Sequence, residues 1–162
     1  DEQFRSYHYG ERAKWGTPNW HAAFVVAARD RDGIIIGTQG ASVKEHRNFP
    51  VTGSWLGREY QSQGYGTEMR AAMLAFLFDG LRCVSVESGA FAFNEKSLGV
   101  SYKLGYVETG REVHAPRGIP HESIRLRLDR AAYLACRPAI PVEIIGADAV
   151  RDVFPLRPGL AR

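Results

Sequence analysis

The chain has 162 residues, 44% hydrophobic and 24% charged, a balance that describes one soluble globular domain long enough to bury a full core. Its net charge of +3 and pI of about 9.0 are mildly basic, and the arginines are scattered, so a nucleic-acid partner is not expected, while attraction of an acidic ligand is. Cys83 and Cys136 form no disulfide framework or metal spacing, and no apolar run reaches the length of a membrane span. The expectation is a cytoplasmic protein with no metal and no membrane contact. No signal peptide is visible, and the chain opens on Asp1, as a processed or truncated product would.

Asp1 to Trp15 reads as a helix, stopped by Gly16-Thr17-Pro18. His21 to Arg29 is a nearly continuous apolar run, as in a strand covered on both faces. Asp30 to Gly33 is a hairpin turn, and Ile34 to Val43 is the returning strand, whose Gly37 and Gly40 suggest a bulge or close packing. Lys44 to Pro50 is a polar loop, and Val51 to Gly57 is a third strand. Thr67 to Asp79 is the clearest helix, with Met69, Ala72, Met73, Phe76 and Leu77 in one stripe and Gly80 placed for a left-handed cap. Cys83 to Ala92 is a strand, and Asn94 caps a helix ending at Gly105. Tyr106 to Val113 and Ser123 to Leu128 are antiparallel strands around the loop His114 to His121. Arg130 to Cys136 is a short helix and Pro141 to Ile145 one more strand. Residues 1–146 then form one domain, and residues 147–162 an extended or disordered tail. The order gives an α+β fold, helices layered on both faces of a mixed, mostly antiparallel sheet.

The most informative stretch is Gln61-Ser62-Gln63-Gly64-Tyr65-Gly66, followed by Thr67 and a helix. Two glycines one residue apart let a ligand approach the backbone, and successive amides can form an N–H nest. The helix N-terminus adds unpaired N–H groups and its positive dipole end, so the loop suits phosphate or pyrophosphate. A P-loop would need Lys after the second glycine, where Thr67 stands. A dinucleotide fingerprint would need a third glycine at Met69.

The loop resembles the Gln/Arg-x-x-Gly-x-Gly/Ala element of the GNAT N-acetyltransferase superfamily, matching at every fixed position. Asn94-Glu95-Lys96-Ser97 through Lys103-Leu104-Gly105-Tyr106 resembles the helix after the family's fifth strand. The resemblance spans about Trp20 to Leu128 and points toward the branch that acetylates N-termini of ribosomal proteins. It implies a GNAT-like sheet with acetyl-coenzyme A as co-substrate. The family's first strand and helix are not found ahead of Trp20, which bears on the wall of the acceptor site. It also raises the prospect of a homodimer or partner chain completing that part of the fold.

Carried over, Gln61, Ser62, Gln63, Gly64, Tyr65, Gly66 and Thr67 would hold the pyrophosphate. Trp55, Leu56 and Gly57 would offer backbone hydrogen bonds to pantetheine, with an N–H near Leu56 stabilising the oxyanion of the attacked thioester. Asn94 could meet the pantetheine amide or simply cap its helix, and Ser97 could close that cap or approach the cofactor. Ser101 occupies the place where many members have a tyrosine that protonates the leaving thiolate. Tyr102, about 100° round the helix, does not take that role. Read without the resemblance, Ser101 is an ordinary helix serine. Glu59, Glu68, Glu87 and Glu95 are bases by type only, and Glu68 suits the helix dipole. The five histidines show no metal spacing, and Gly53-Ser54-Trp55-Leu56-Gly57 misplaces the serine of a nucleophile elbow. The resemblance implies direct attack by a neutral amine, of a small molecule or a protein, in a ternary complex. A degenerate acyl-coenzyme A-binding module is the alternative from another class, and a non-enzymatic nucleotide-binding domain the third.

Overall fold

The computed structural model describes residues 2, 6, 9–10, 20–43, 49–151 and 153–154. Of the helix expected over Asp1 to Trp15, Glu2, Ser6, Tyr9 and Gly10 are helical, and the rest lies outside the described residues. So does most of the loop expected from Lys44 to Pro50.

Among the described residues six strands form one sheet: β1 (Trp20–Ala28), β2 (Ile34–Val43), β3 (Val51–Leu56), β4 (Ser85–Phe91), β5 (Val107–His114) and β6 (His121–Asp129), in the order β1-β2-β3-β4-β6-β5. Every neighbouring pair is antiparallel except β3 with β4. Among the described residues after Trp20, the α-helices are α1 (Tyr65–Ala75), α2 (Glu95–Lys103), α3 (Arg130–Cys136) and the single turn α4 (Ala147–Val150). Of the helices expected on both faces, the described α1, α2 and α3 share one: Leu74, Phe78, Leu98, Leu104 and Tyr133 belong to one core cluster with Val43, Val86, Leu126 and Leu128 of the sheet.

β1 is not covered on both faces as its apolar run suggests. It is an edge strand, and Ala23, Phe24 and Val25 are exposed. Its register with β2 shifts between Val26 and Ala27, where β2 steps from Gly37 to Ile35, so the extra residue, Ile36, puts the bulge on β2 beside Gly37, as the glycines there suggest. Gly37 answers to close packing, since a Cβ there would stand 2.2 Å from the Trp55 carbonyl oxygen. The 29–33 turn reverses through Asp32 and Gly33, both at positive φ, and closes with Gly33 N–H donating to the Ala28 carbonyl.

α1 begins two residues earlier than expected and is buried over more of its surface than one stripe. Met69, Arg70, Ala71, Met73, Leu74 and Ala75 are buried, whereas Ala72 is exposed. Its last turn, Phe76–Gly80, widens to a π turn in which Leu81 N–H reaches the Phe76 carbonyl at 2.8 Å. Gly80 therefore takes no left-handed cap. Arg82, at φ 61°, makes the reversal, and Gly80 is small because Ala147 packs over it at 3.2 Å from an added Cβ.

Pro141 to Ile145 forms no strand. Burial does alternate from Ile140 to Ile145, with Ile140 and Ile144 packed on the core, but Pro141 lacks a ladder donor and the segment pairs with no strand of the sheet. Residues 147–154, expected as tail, hold α4 and the buried Phe154, whose ring packs edge-on against Trp20 (5.2 Å) and Phe76 (6.1 Å).

Candidate active site

The parallel pair β3 and β4 comes apart almost as soon as it forms. β3 and β4 are in register at Val51↔Glu87 and Thr52↔Ser88, and beyond that the strands part. The direction of the freed backbone follows from its neighbours. The Pro50 carbonyl accepts from Glu87 N–H of β4, and Gly57 N–H is donated to Ile36 of β2. Direction alternates along a strand, so Ser54 and Leu56 turn their N–H groups into the fork, and Trp55 and Gly57 turn theirs away. Of the three residues expected to offer backbone bonds, Leu56 alone presents its amide there. The Gly57 N–H is already used, and the Trp55 side chain stands exposed on the sheet face opposite α1.

β3 does not run directly into the glycine loop. A 3-10 turn, Arg58–Tyr60, intervenes, and Gln61 folds back so that its side-chain amide donates to the Leu56 carbonyl at 3.2 Å. Gln63 does the same to the Glu59 carbonyl at 2.6 Å. Ser62 (φ 61°) and Gly64 (φ 95°) are both left-handed, a combination of turn conformations that aims successive amides to one side. Gly64 is the N-cap of α1, and its carbonyl accepts from Thr67 and Glu68. The N–H groups of Tyr65 and Gly66 precede those first intrahelical bonds. Nothing lies within 4 Å of a Cβ built on Gly64, so open space stands over the loop. A Cβ built on Gly66 would meet Val100 of α2 at 3.7 Å. Glu68 is exposed in the first helical turn, where its charge suits the dipole.

The turn between β1 and β2 reaches this loop, which the sequence does not signal. Arg31 donates to the Tyr65 hydroxyl (3.1 Å) and to Gln63 Oε1 (2.9 Å), and Tyr65 donates to Asp30 Oδ2 (2.6 Å). A groove of about 1270 Å³ opens at the same place and runs between β1, α1 and residues 140–147. No residue of β3 or β4 lines it, so it lies on the far side of α1 from the fork.

At the head of α2, Asn94 Oδ1 accepts from Ser97 N–H at 3.2 Å, a formed N-cap. Asn94 is exposed, and Ser97 is half-buried. Ser101 is 2% exposed, and its hydroxyl donates to the Ser97 carbonyl at 3.1 Å. That proton is held by the helix backbone and does not face the fork as a ready acid. Tyr102 is exposed and donates to Glu108 at 2.5 Å, a bond that raises the phenol above its ordinary value and lowers the carboxyl. Among the described residues no cluster of His, Cys, Asp or Glu is arranged for a metal, and no helix is long and apolar enough to cross a membrane.

The sequence also gives no hint of Arg70. It leaves α1 toward the sheet, is 4% exposed, and donates to Gln39 Oε1 (3.2 Å), Thr52 Oγ1 (3.1 Å), Ser88 Oγ (3.1 Å) and Ser54 Oγ (3.0 Å). Its partners among the described residues are all neutral.

A parallel pair that forks beside the glycine loop is thus built from β3, β4 and α1. Residues 2–107 match the model of the acetyltransferase (GNAT) domain. The ribosomal-protein-S5-alanine acetyltransferase of Vibrio fischeri superposes with a TM-score of 0.61 at 20% identity, over 78% of this chain and 67% of that one. Mutant forms of the spermidine/spermine N-acetyltransferase of Vibrio cholerae give 0.67 at 18% identity, over 83% and 79%. A GNAT-family acetyltransferase of Bacillus anthracis gives 0.60 at 18%, over 66% and 65%. With the family model covering more than half of its length, this chain belongs to the GNAT acetyltransferases, enzymes of N-acetyl transfer.

Proposed function

We propose that the chain transfers the acetyl group of acetyl-coenzyme A to a primary amine, on a protein N-terminus, a lysine or a small molecule, by direct attack in a ternary complex. The observation that carries this reading is the continuity of the fork with the left-handed loop at the start of α1. Acetyl-coenzyme A supplies an acyl group activated as a thioester. The residues present fit it: the 61–67 loop offers N–H donors beneath open space for pyrophosphate, with the Arg31 cation against its side chains. Ser54 and Leu56 offer backbone N–H groups along the fork for the arm. The Leu56 amide is the donor placed to stabilise negative charge on a carbonyl oxygen. Ser101 is a secondary proton source, reached only by giving up its bond to Ser97. Neither cysteine is a nucleophile in this scheme: Cys83 is fully buried, its thiol pushed up to about 12 by burial, and Cys136 lies at the end of α3.

Acetyl-coenzyme A is expected to raise the melting temperature, since a ligand selective for the folded state stabilises it by mass action. Free coenzyme A should then be released when an amine is added from a panel of peptide N-termini, lysine peptides and polyamines. Turnover should rise with pH as the acceptor amine loses its proton, because the neutral amine carries the attacking lone pair. Binding with no transfer to any amine at any pH would favour the binding-module alternative, and no binding at all would overturn both.

A further inference from the structure

We propose that Arg70 is a positioning residue that props β3 and β4 apart and so creates the fork in which an acyl-coenzyme A arm would lie. The inference rests on the proposed function for its ligand, though not for its geometry. A guanidinium carries five N–H donors, and here four bonds go to three different strands: Gln39 of β2, Thr52 and Ser54 of β3, and Ser88 of β4. Thr52 and Ser88 are the last residues in register between β3 and β4, and one nitrogen, Nη1, binds both hydroxyls at 3.1 Å. Nη2 then takes Ser54, the next β3 residue on the same face, after pairing has ceased. The planar head therefore sits where the two strands diverge, with one arm on each.

The placement is costly unless it does something. A cation shielded from water loses its hydration, and neutral hydroxyls replace only part of it. An apolar side chain of similar length would fill the same space under the sheet without that penalty. What it would not supply is a set of donors that bind β3 and β4 side chains while leaving the Ser54 and Leu56 amides turned into the fork. Three further bonds brace the point of divergence: the Thr52 hydroxyl also meets the Glu87 carbonyl (3.2 Å) and the Tyr106 hydroxyl (3.3 Å), and the Ser88 hydroxyl donates to the Thr52 carbonyl (3.4 Å). Because Arg70 lies one and a half turns into the helix whose N-terminus carries the glycine loop, it also ties the loop to both walls of the fork.

The test is Arg70→Met, with Arg70→Lys as the variant that keeps a buried cation on a single donor head. Amide hydrogen exchange is read alongside acetyl-coenzyme A affinity and the separate KM values for acetyl-coenzyme A and amine. In the parent, the Ser54 and Leu56 amides should exchange readily. In Arg70→Met they should gain protection as β3 pairs further along β4. Affinity for acetyl-coenzyme A should fall about tenfold or more, the weight of roughly one preorganised hydrogen bond. KM for the amine should be unchanged, and Arg70→Lys should fall between. A folded Arg70→Met or Arg70→Lys with parental exchange and parental affinity would overturn the proposal. If Arg70→Met does not fold, Arg70→Lys decides by the same two readings. A parent that fails to bind acetyl-coenzyme A defeats the functional reading, while the exchange result still decides for or against the prop.

Discussion

At the scale of single residues, three side chains carry separable predictions. Asn94 caps α2 through its Oδ1, so Asn94→Ala should cost about 1 kcal/mol of stability. If the cap is its whole contribution, affinity for acetyl-coenzyme A stays level, and a parallel fall in affinity would show that the amide also meets the ligand. Stability and affinity both unchanged would remove Asn94 from either role. Gly64 has open space for a side chain but a φ of 95° that a β-branched residue cannot hold without strain. Gly64→Val should therefore abolish the acetyl-coenzyme A-induced rise in melting temperature, through a turned loop and a filled anion space. A variant that still shows the full rise would mean the loop is not the pyrophosphate seat. Ser101 is buried, and its proton is given to Ser97. Ser101→Ala should lower kcat by no more than about tenfold, since water can replace a weakly placed acid and a coenzyme A thiolate leaves readily. A loss of several thousandfold with binding intact would show that the hydroxyl turns to the reacting sulfur during turnover.

At the scale of elements, what was legible depended on how local the cause was. The strand Ile34–Val43 and the helix Arg130–Cys136 have the boundaries read from sequence, because their patterning and flanking turns are written in adjacent residues. The end of α2 is another local signal. Gly105 takes φ 90°, its N–H reaches the Tyr102 carbonyl and Tyr106 N–H reaches Ser101, closing both bonds of a Schellman cap. Gly105→Ala should destabilise the protein, because the left-handed backbone disfavours a Cβ and that Cβ would stand 2.9 Å from Cβ of Cys136. Gly105→Ala, Cys136→Ala removes only the Sγ contact at 3.1 Å and keeps the Cβ contact, so it should recover little of the loss, and full parental stability in Gly105→Ala would show that the cap is not under this constraint. The misread elements share a non-local cause. Pro141–Ile145 has strand composition, yet it lies against the core by way of Ile140 and Ile144. The β1 run looks doubly covered but lies at a sheet edge. The glycine loop of the site was readable as a contiguous motif. Arg70 was not: a lone arginine in a helix reads as a solvated face, and its acceptors lie 16 to 31 residues away on three strands.

At the scale of the whole molecule, the side of the core under the end of α1 joins several elements through groups that must stay protonated. Phe78 stacks on Tyr133 of α3 with ring centroids 4.5 Å apart, and the Tyr133 hydroxyl donates to Asp79 at 2.9 Å. Arg130 and Arg137 flank the same carboxylate, Arg130 also donating to the Phe78 carbonyl. Cys83, fully buried, follows the π turn, and its N–H is held by the Leu77 carbonyl. Burial raises the Cys83 thiol from 9.0 to about 12, and burial with the bond to Asp79 raises Tyr133 from 10.0 to about 12. Both folded values lie above the unfolded ones, so from about pH 9 the unfolded chain releases protons that the folded chain keeps. This contribution to stability is complete below pH 9 and is lost as the pH rises toward 12. Urea midpoints should therefore hold level from pH 7 to 8.5 and fall steadily between pH 9 and 11, while Cys83→Ala, less stable at neutral pH, should show a shallower fall. In the same range a thiol reagent should label the exposed Cys136 in the native protein and reach Cys83 only on unfolding. A midpoint that does not change up to pH 11, or rapid native labelling of Cys83, would mean that this side of the core opens without global unfolding and that burial is not what holds the two protons.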